Sequence, residues 1–462
     1  MSEIVEKADR SNNRVIMAAC AMMFIISLDF TIANVALPAI RDEMNVPTNM
    51  LGLALIAYSL PFATLMLSAG ALTDRFGPVE VCTSGLIILG LGSLIGTAAP
   101  SFEILLLGRF VQGVGAALCM PSSLAMLRSN VPPDRLTSSI ALWTLSGSVA
   151  ISAGPILSGI LVQYATWRSI FAINLPIVAL AALMLFPLAR SVRQGSASQT
   201  ASLDIMGQAL FILASVLLLG GLTLLQDDAY AFPRNAALTL LFFSAVTTFA
   251  FFWHEWRTVA PVMPPQLLQK GAFQSATLVG GAVSFVSFGA VYCLGLYYGI
   301  AKEFSPLVVG WLFLPSMLAT VAGTSVVAGV KKRLGSRKTV LLGIASQLIG
   351  SLLICLQPDN VAWVSASASF LGFGIGLVIP AITSNLLSSL GANLAGVASG
   401  AFSSVRQFAA ALGISVLGLL ISGNATAMVA DLQRVSAVCA ALLAAVLLHS
   451  AINRSPKTEK RS

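Results

Sequence analysis

Asp29 lies inside an apolar stretch that runs from about Val15 to Pro38, and Arg109 and Arg406 lie inside two other apolar stretches. A charge in such a place costs at least a few kcal/mol on the most lenient insertion scales, so it faces a wet cavity, takes a partner, or gives up its charge. Proton uptake and release is the chemistry open to a carboxylate held this way. At 1.5 Å per residue, Asp29 sits about 13 Å from the outer end of its helix and Arg109 about 9 Å from the outer end of its own. The two are therefore expected to meet directly, or through Gln112 or water, with the guanidinium tuning how readily Asp29 holds a proton. Arg406 is expected to face the same cavity. Asp227, Asp228, Glu255 and Glu303 read as interfacial, which leaves Asp29 as the mid-span carboxylate.

The elements that carry these residues follow from composition. Of 462 residues, 57% are hydrophobic and 10% charged, against about a quarter charged in soluble proteins. The chain is an all-α polytopic membrane protein. Apolar runs near twenty residues long begin at about Val15, Leu51, Val81, Ile104, Ser138, Ile170, Met206, Ala236, Phe273, Pro306, Thr339, Val361, Gly396 and Val435, which gives about fourteen spans. With the N-terminus in the cytoplasm, roughly 19 Lys and Arg fall inside, about 5 outside and about 2 within helices. Both termini are thus expected in the cytoplasm, with Lys331, Lys332, Arg333, Arg337 and Lys338 as the main inner cluster and Arg454, Lys457, Lys460 and Arg461 in the tail. The net charge of +8 is a topology signal rather than a nucleic-acid footprint.

Other function classes find little support. Cys20, Cys82, Cys119, Cys293, Cys355 and Cys439 have no paired spacing, and His254 and His449 have no neighbouring ligands, so no metal site is expected. There is no phosphate-binding motif and no catalytic cluster, so no cofactor and no enzyme activity are expected. Met1 to Arg14 lead into a full span without a cleavage pattern, so no removable signal peptide is expected.

An internal repeat organises the chain. Asp74, Arg75, Phe76 and Gly77 match Lys332, Arg333, Leu334 and Gly335 at an offset of about 258 residues. Gly115 to Pro121 likewise matches Gly374 to Pro380, and Gly154 matches Gly413. The division expected is a six-helix half over residues 1–190, two additional helices over 191–271, and a second six-helix half with a basic tail over 272–462.

The stretch from Leu28 through Asp29, Phe30, Thr31, Ile32, Ala33 and Asn34 to Pro38 resembles the first-helix motif of the fourteen-helix drug:proton antiporter branch of the major facilitator superfamily. Gly70, Asp74, Arg75 and Gly77 look like that family's gating loop, and Arg333 stands at the repeat position of Arg75. Pro78 and Val79 replace basic residues usual there, which implies a weaker latch. Gly108 to Gly115 resembles the arginine motif. Gly147, Ala153, Gly154, Pro155 and Gly159 resemble the motif that marks antiporters, with Ser158 in place of a Gly. Trp167 to Pro176 and Ser403 to Gln407 resemble two further stretches of the branch.

The resemblance implies the major facilitator fold, with substrate bound near the midplane where the halves meet. It also implies export of small amphipathic or cationic compounds in exchange for protons, by a monomer in the bacterial inner membrane. Asn34, Tyr58, Phe288 and Tyr292 are candidates to line the cavity, together with Met23, Phe24 and Phe285. A single mid-span carboxylate suits dications poorly. Two other uses of the same fold stay open: a dedicated exporter of one metabolite serving self-resistance, and a proton-coupled uptake carrier.

Overall fold

The computed structural model describes residues 2–191, 204–225, 234–258, 261–263, 265–390, 392–422 and 424–452. The tail arginines and lysines, together with Asp227 and Asp228, lie outside them. Among the described residues, fourteen helices are long and apolar enough to cross a membrane. In chain order they are α1 (Ser2–Met44), α2 (Gly52–Phe76), α3 (Pro78–Ala98), α4 (Phe102–Asn130), α5 (Pro133–Tyr164), α6 (Asn174–Ser191) and α7 (Ile205–Leu224). They continue as α8 (Arg234–Glu255), α9 (Gly271–Leu296), α10 (Pro306–Leu334), α11 (Ser336–Leu356), α12 (Val361–Ser389), α13 (Ala392–Gly418) and α14 (Met428–Ile452).

Several helices begin before the apolar runs that announce them. The run expected from Val435 starts at Met428, because Asp431 accepts hydrogen bonds from both the backbone N–H and the hydroxyl of Ser422 and so holds the polar first turn in place. The run expected from Ile170 is broken. A short helical turn, Ser169–Ala172, precedes α6, which begins at Asn174. At the end of α9 the chain relaxes into a π-helical turn over Tyr297–Ala301, for which the sequence carries no warning.

Glycines set how closely the helices approach. Gly77 and Gly335, at the repeat-related joints between α2 and α3 and between α10 and α11, have φ of 92° and 78°, a conformation that favours glycine. Elsewhere the close approach is side by side. A Cβ on Gly154 would lie 2.1 Å from Thr31 Oγ1, and one on Gly92 would lie 2.5 Å from the backbone N of Gln112. These contacts bring α5 against α1 and α3 against α4.

Two seams join the N-terminal helices to the C-terminal ones, α5 against α10 and α2 against α13. Under the repeat, α2 corresponds to α10 and α5 to α13, so the two seams are one contact made twice. The contacts that close the bundle gather toward the end that carries the α1–α2 loop. There, Asn34 Nδ2 donates to Val291 O over 2.9 Å, and Gly299 packs on Pro38. In the α5–α10 seam, Gly159 lies against the backbone of Pro306 and Gly310 against that of Pro155. At the opposite end Asp74, Arg75 and Arg333 are exposed, and a Cβ on Gly70 would meet nothing within 4 Å. The named contacts between the halves thus lie toward one end, and the repeat-related loop residues at the other end are exposed.

The pair α7–α8 lies outside this frame, with α7 against both α2 and α13. Gln208 of α7 donates to Thr64 O of α2 over 2.7 Å, and Ser68 donates to Gln208 Oε1. Toward α13 the contact is apolar, with Phe211 and Phe408 rings 6.1 Å apart.

Gly154→Val drives a branched side chain into Thr31 and is expected to destabilise the protein by about 1–3 kcal/mol, whereas Gly70→Ala is expected to be neutral. Thermal unfolding of the two purified variants checks the contrast; equal midpoints would refute the packing role of Gly154.

Candidate functional site

Asp29 and Arg109 meet in the interior, 0% and 1% exposed, with Arg109 Nη1 2.8 Å from Asp29 Oδ2. The guanidinium is further fixed by Nε to Ala54 O at 3.0 Å, by Nη1 to Gln112 Oε1 at 3.1 Å and by Nη2 to the Asp29 carbonyl at 3.3 Å. Its plane lies over the Tyr58 ring, 4.4 Å from the centroid. Asp29 Oδ1 accepts from Gln112 Nε2 at 3.2 Å and from Asn174 Nδ2 at 2.9 Å. Ser93 Oγ ties the two amides together by accepting from Gln112 at 2.9 Å and from Asn174 at 3.3 Å. Four helices therefore converge on one carboxylate.

The local sequence explains the convergence. Gly92 and Gly108 let α3 and α4 close until Ser93 reaches Gln112, three residues after Arg109 on the same helix face. The break before α6 drops Asn174 beside Asp29, while the same stretch grips α1 higher up: Trp167 Nε1 donates to Glu43 over 2.7 Å and Arg168 pairs with Glu43. One carboxylate oxygen pairs with Arg109 and the other accepts from two amides. A proton arriving there must displace part of the network. Asn174 Oδ1 is buried without a hydrogen-bond partner, so the amide has an unused acceptor next to the acid.

Ser93 and Asn174 are the members that sequence reasoning missed as part of the site. Both are neutral, and Asn174 sits in a stretch whose Trp and Arg read as interfacial anchors. The signal available was the break in helical pattern around Trp167 to Pro176.

The other candidate residues separate by position. Phe288 is partly exposed, and its ring meets that of Phe30 edge to face at 4.6 Å. Tyr58, Tyr292 and Asn34 are buried instead. Tyr58 donates its hydroxyl to Ile26 O over 3.0 Å, Tyr292 has its hydroxyl against Gly52, and Asn34 ties α1 to α9. In this arrangement the three sit in walls and seams rather than on an open surface. Gly154, Pro155 and Gly159 lie along α5 where it meets α1 and α10. Asp74 pairs with no other described residue, and Arg75 stacks on Phe76.

The repeat partner of Asp29 is Ser287, whose hydroxyl accepts from Gln347 Nε2 over 2.6 Å. The second half thus holds a neutral network where the first holds a charged one. Arg406 lies in α13, with Nε 3.4 Å from Ser284 Oγ. Among the described residues no group of three or more His, Cys, Asp or Glu could hold a metal ion.

A bundle of this kind, with a buried acid on one helix and two repeat-related seams, defines a multi-pass membrane transporter. The sequence profile of the Major Facilitator Superfamily matches residues 19–414, and the chain belongs to that family. It is 30% identical over 430 residues to the methylenomycin A resistance protein of Bacillus subtilis, covering 91% of this chain and 90% of the relative. It is also 30% identical over 404 residues to the multidrug resistance protein Stp of Mycobacterium tuberculosis (87% and 74% covered). The lincomycin resistance protein of Streptomyces lincolnensis is 30% identical over 426 residues (89% and 85%). Among solved structures, a POT family transporter in complex with 5-aminolevulinic acid superposes with a TM-score of 0.70 at 13% identity, covering 96% of each chain. A human organic anion transporter gives 0.63 at 16%, covering 95% and 99%. These two show the fold.

Removing one member of a buried ion pair strands the other, which costs about 3–5 kcal/mol. Asp29→Asn and Arg109→Gln are each expected to lower the unfolding midpoint, and the double variant to lose less than their sum. Strict additivity in this cycle would mean the pair is not coupled.

Proposed function

We propose that this protein exports small amphipathic compounds, antibiotics among them, from the cytoplasm in exchange for protons, with Asp29 as the proton-carrying group. The observation that carries the reading is the ion-paired carboxylate, fully buried, held directly from α4 and α6 and, through Arg109, tied to α2 at the seam between the halves. A proton there weakens the hold of Arg109, Gln112 and Asn174 on α1, which couples protonation to the packing of the first half. Arg109 and Gln112 serve as the groups that set the proton affinity of Asp29. Alternating access comes from rocking of two six-helix units about the α5–α10 and α2–α13 seams. Gly154, Pro155 and Gly159 let the α5 seam stay tight, and Asp74, Arg75 and Arg333 latch their end of the bundle when it closes.

The charge pattern supports placing the end with Asp74 and the Lys331 cluster in the cytoplasm. It likewise supports both termini being cytoplasmic in a bacterial inner membrane. On this reading the protein works as a monomer, is no enzyme, needs no cofactor and binds no nucleic acid. The resistance functions in the names of its relatives support outward transport. Two of those names carry one antibiotic each, which favours a second reading, export of a single metabolite.

Efflux of ethidium from energised cells tests the first reading. Export is expected with the intact protein, and loss of at least tenfold with Asp29→Asn or with a proton uncoupler. Uncoupler-sensitive export that survives Asp29→Asn would remove Asp29 from its role.

A further inference from the structure

Arg109 and Arg406 are the two arginines of the membrane interior, and they live differently. Arg109 gives four hydrogen bonds to protein acceptors. Arg406 stands midway along α13, about 20 Å of helix from either end, too deep to reach a lipid headgroup. Its one hydrogen bond to a described residue is the long contact from Nε to Ser284. Phe402 lies beneath it, 5.8 Å from ring centroid to guanidinium. A guanidinium offers five N–H donors, so both terminal nitrogens are left without a protein acceptor among the described residues. The residue is partly exposed on the flank of α13 that faces α9, where α9 also meets α1 of the other half through Phe288 and Phe30.

The charge balance of that region follows. Asp29 is matched by Arg109, and no other carboxylate lies near mid-span among the described residues, so Arg406 leaves the cavity with one uncompensated positive charge. Next to it runs an aromatic wall. Ser284 and Phe288 are one turn apart on the same face of α9, Phe288 meets Phe30, and Phe30 follows Asp29 in the chain. A fixed cation at one end of an apolar wall fits a molecule with an anionic head and an apolar body.

We propose that Arg406 is the head-group site for amphipathic carboxylates. The two acid oxygens take the two Nη groups in the planar fork that carboxylate and guanidinium share, and the apolar body lies along Phe288 and Phe30. This assignment rests on the export reading above and narrows its substrate class. Arg406 is then a specificity residue that favours an acidic head over a neutral one.

The probes are dansylglycine and its methyl ester, which differ by one charge. Binding is measured by equilibrium dialysis with the full-length protein in nanodiscs, subtracting empty discs. The acid is expected to bind at least tenfold more tightly than the ester. Arg406→Met is expected to bring that ratio to near one, and Arg406→Lys to retain part of it. Thermal unfolding identifies any variant that has not folded, and Arg406→Lys keeps the test open if Arg406→Met fails. Equal binding of acid and ester by the unaltered protein, or an acid preference that persists in folded Arg406→Met, overturns the proposal. The same probes in proteoliposomes separate the two claims. Arg406-dependent transport of the acid that ignores a proton gradient would sink proton exchange and leave the head-group site standing.

Discussion

An aspartate and an arginine facing each other inside hydrocarbon constrain everything built around them. Taking both charges out of water costs several kcal/mol per ion, and mutual attraction repays it only when the remaining donors and acceptors are also satisfied. That requirement is visible in the helices that surround the pair. Gly92 and Gly108 thin α3 and α4 so that Ser93 can reach Gln112, the α2 backbone offers Ala54 O to the guanidinium, and the chain breaks before α6 so that Asn174 can reach Asp29. A pair of apolar residues would pack there at less cost. The charges make sense as something that can be switched.

Much of this was legible in the sequence, for identifiable reasons. Charges inside apolar runs are rare, so Asp29, Arg109 and Arg406 stood out without any structure, and the constant rise of a helix placed the first two at similar depth. The repeat was legible because glycines at close contacts tolerate no substitute, which keeps Gly115 and Gly374 in step. What stayed hidden depends on contacts between distant segments. Nothing about Ser93 or Asn174 marks a neutral side chain as part of a charged network. Tyr58, Tyr292 and Asn34 are the kinds of residue that line cavities, yet in this arrangement the Tyr58 hydroxyl and the Asn34 amide N–H go to backbone of a neighbouring helix and the Tyr292 hydroxyl packs on Gly52. The π-helical turn at Tyr297–Ala301 has no side-chain signature that distinguishes it from ordinary helix.

The repeat also shows how far the two halves have diverged in chemistry while keeping one geometry. The seams α5–α10 and α2–α13 are the same contact, and Gly77 and Gly335 make the same joint. At the position of Asp29, however, the second half holds Ser287 with Gln347, and its mid-span cation, Arg406, sits on a different helix with no acid beside it. The buried ion pair belongs to one half, and an unmatched positive charge to the other.

The α7–α8 pair breaks this symmetry in one more respect. It is fastened to α2 by Gln208 and meets α13 through the Phe211 and Phe408 rings. It also roofs the α2–α13 seam from the lipid side, while its counterpart, α5–α10, has no helix laid across it among the described residues. A hydrophobic molecule already dissolved in the bilayer would find one flank of the protein shuttered and the other bare.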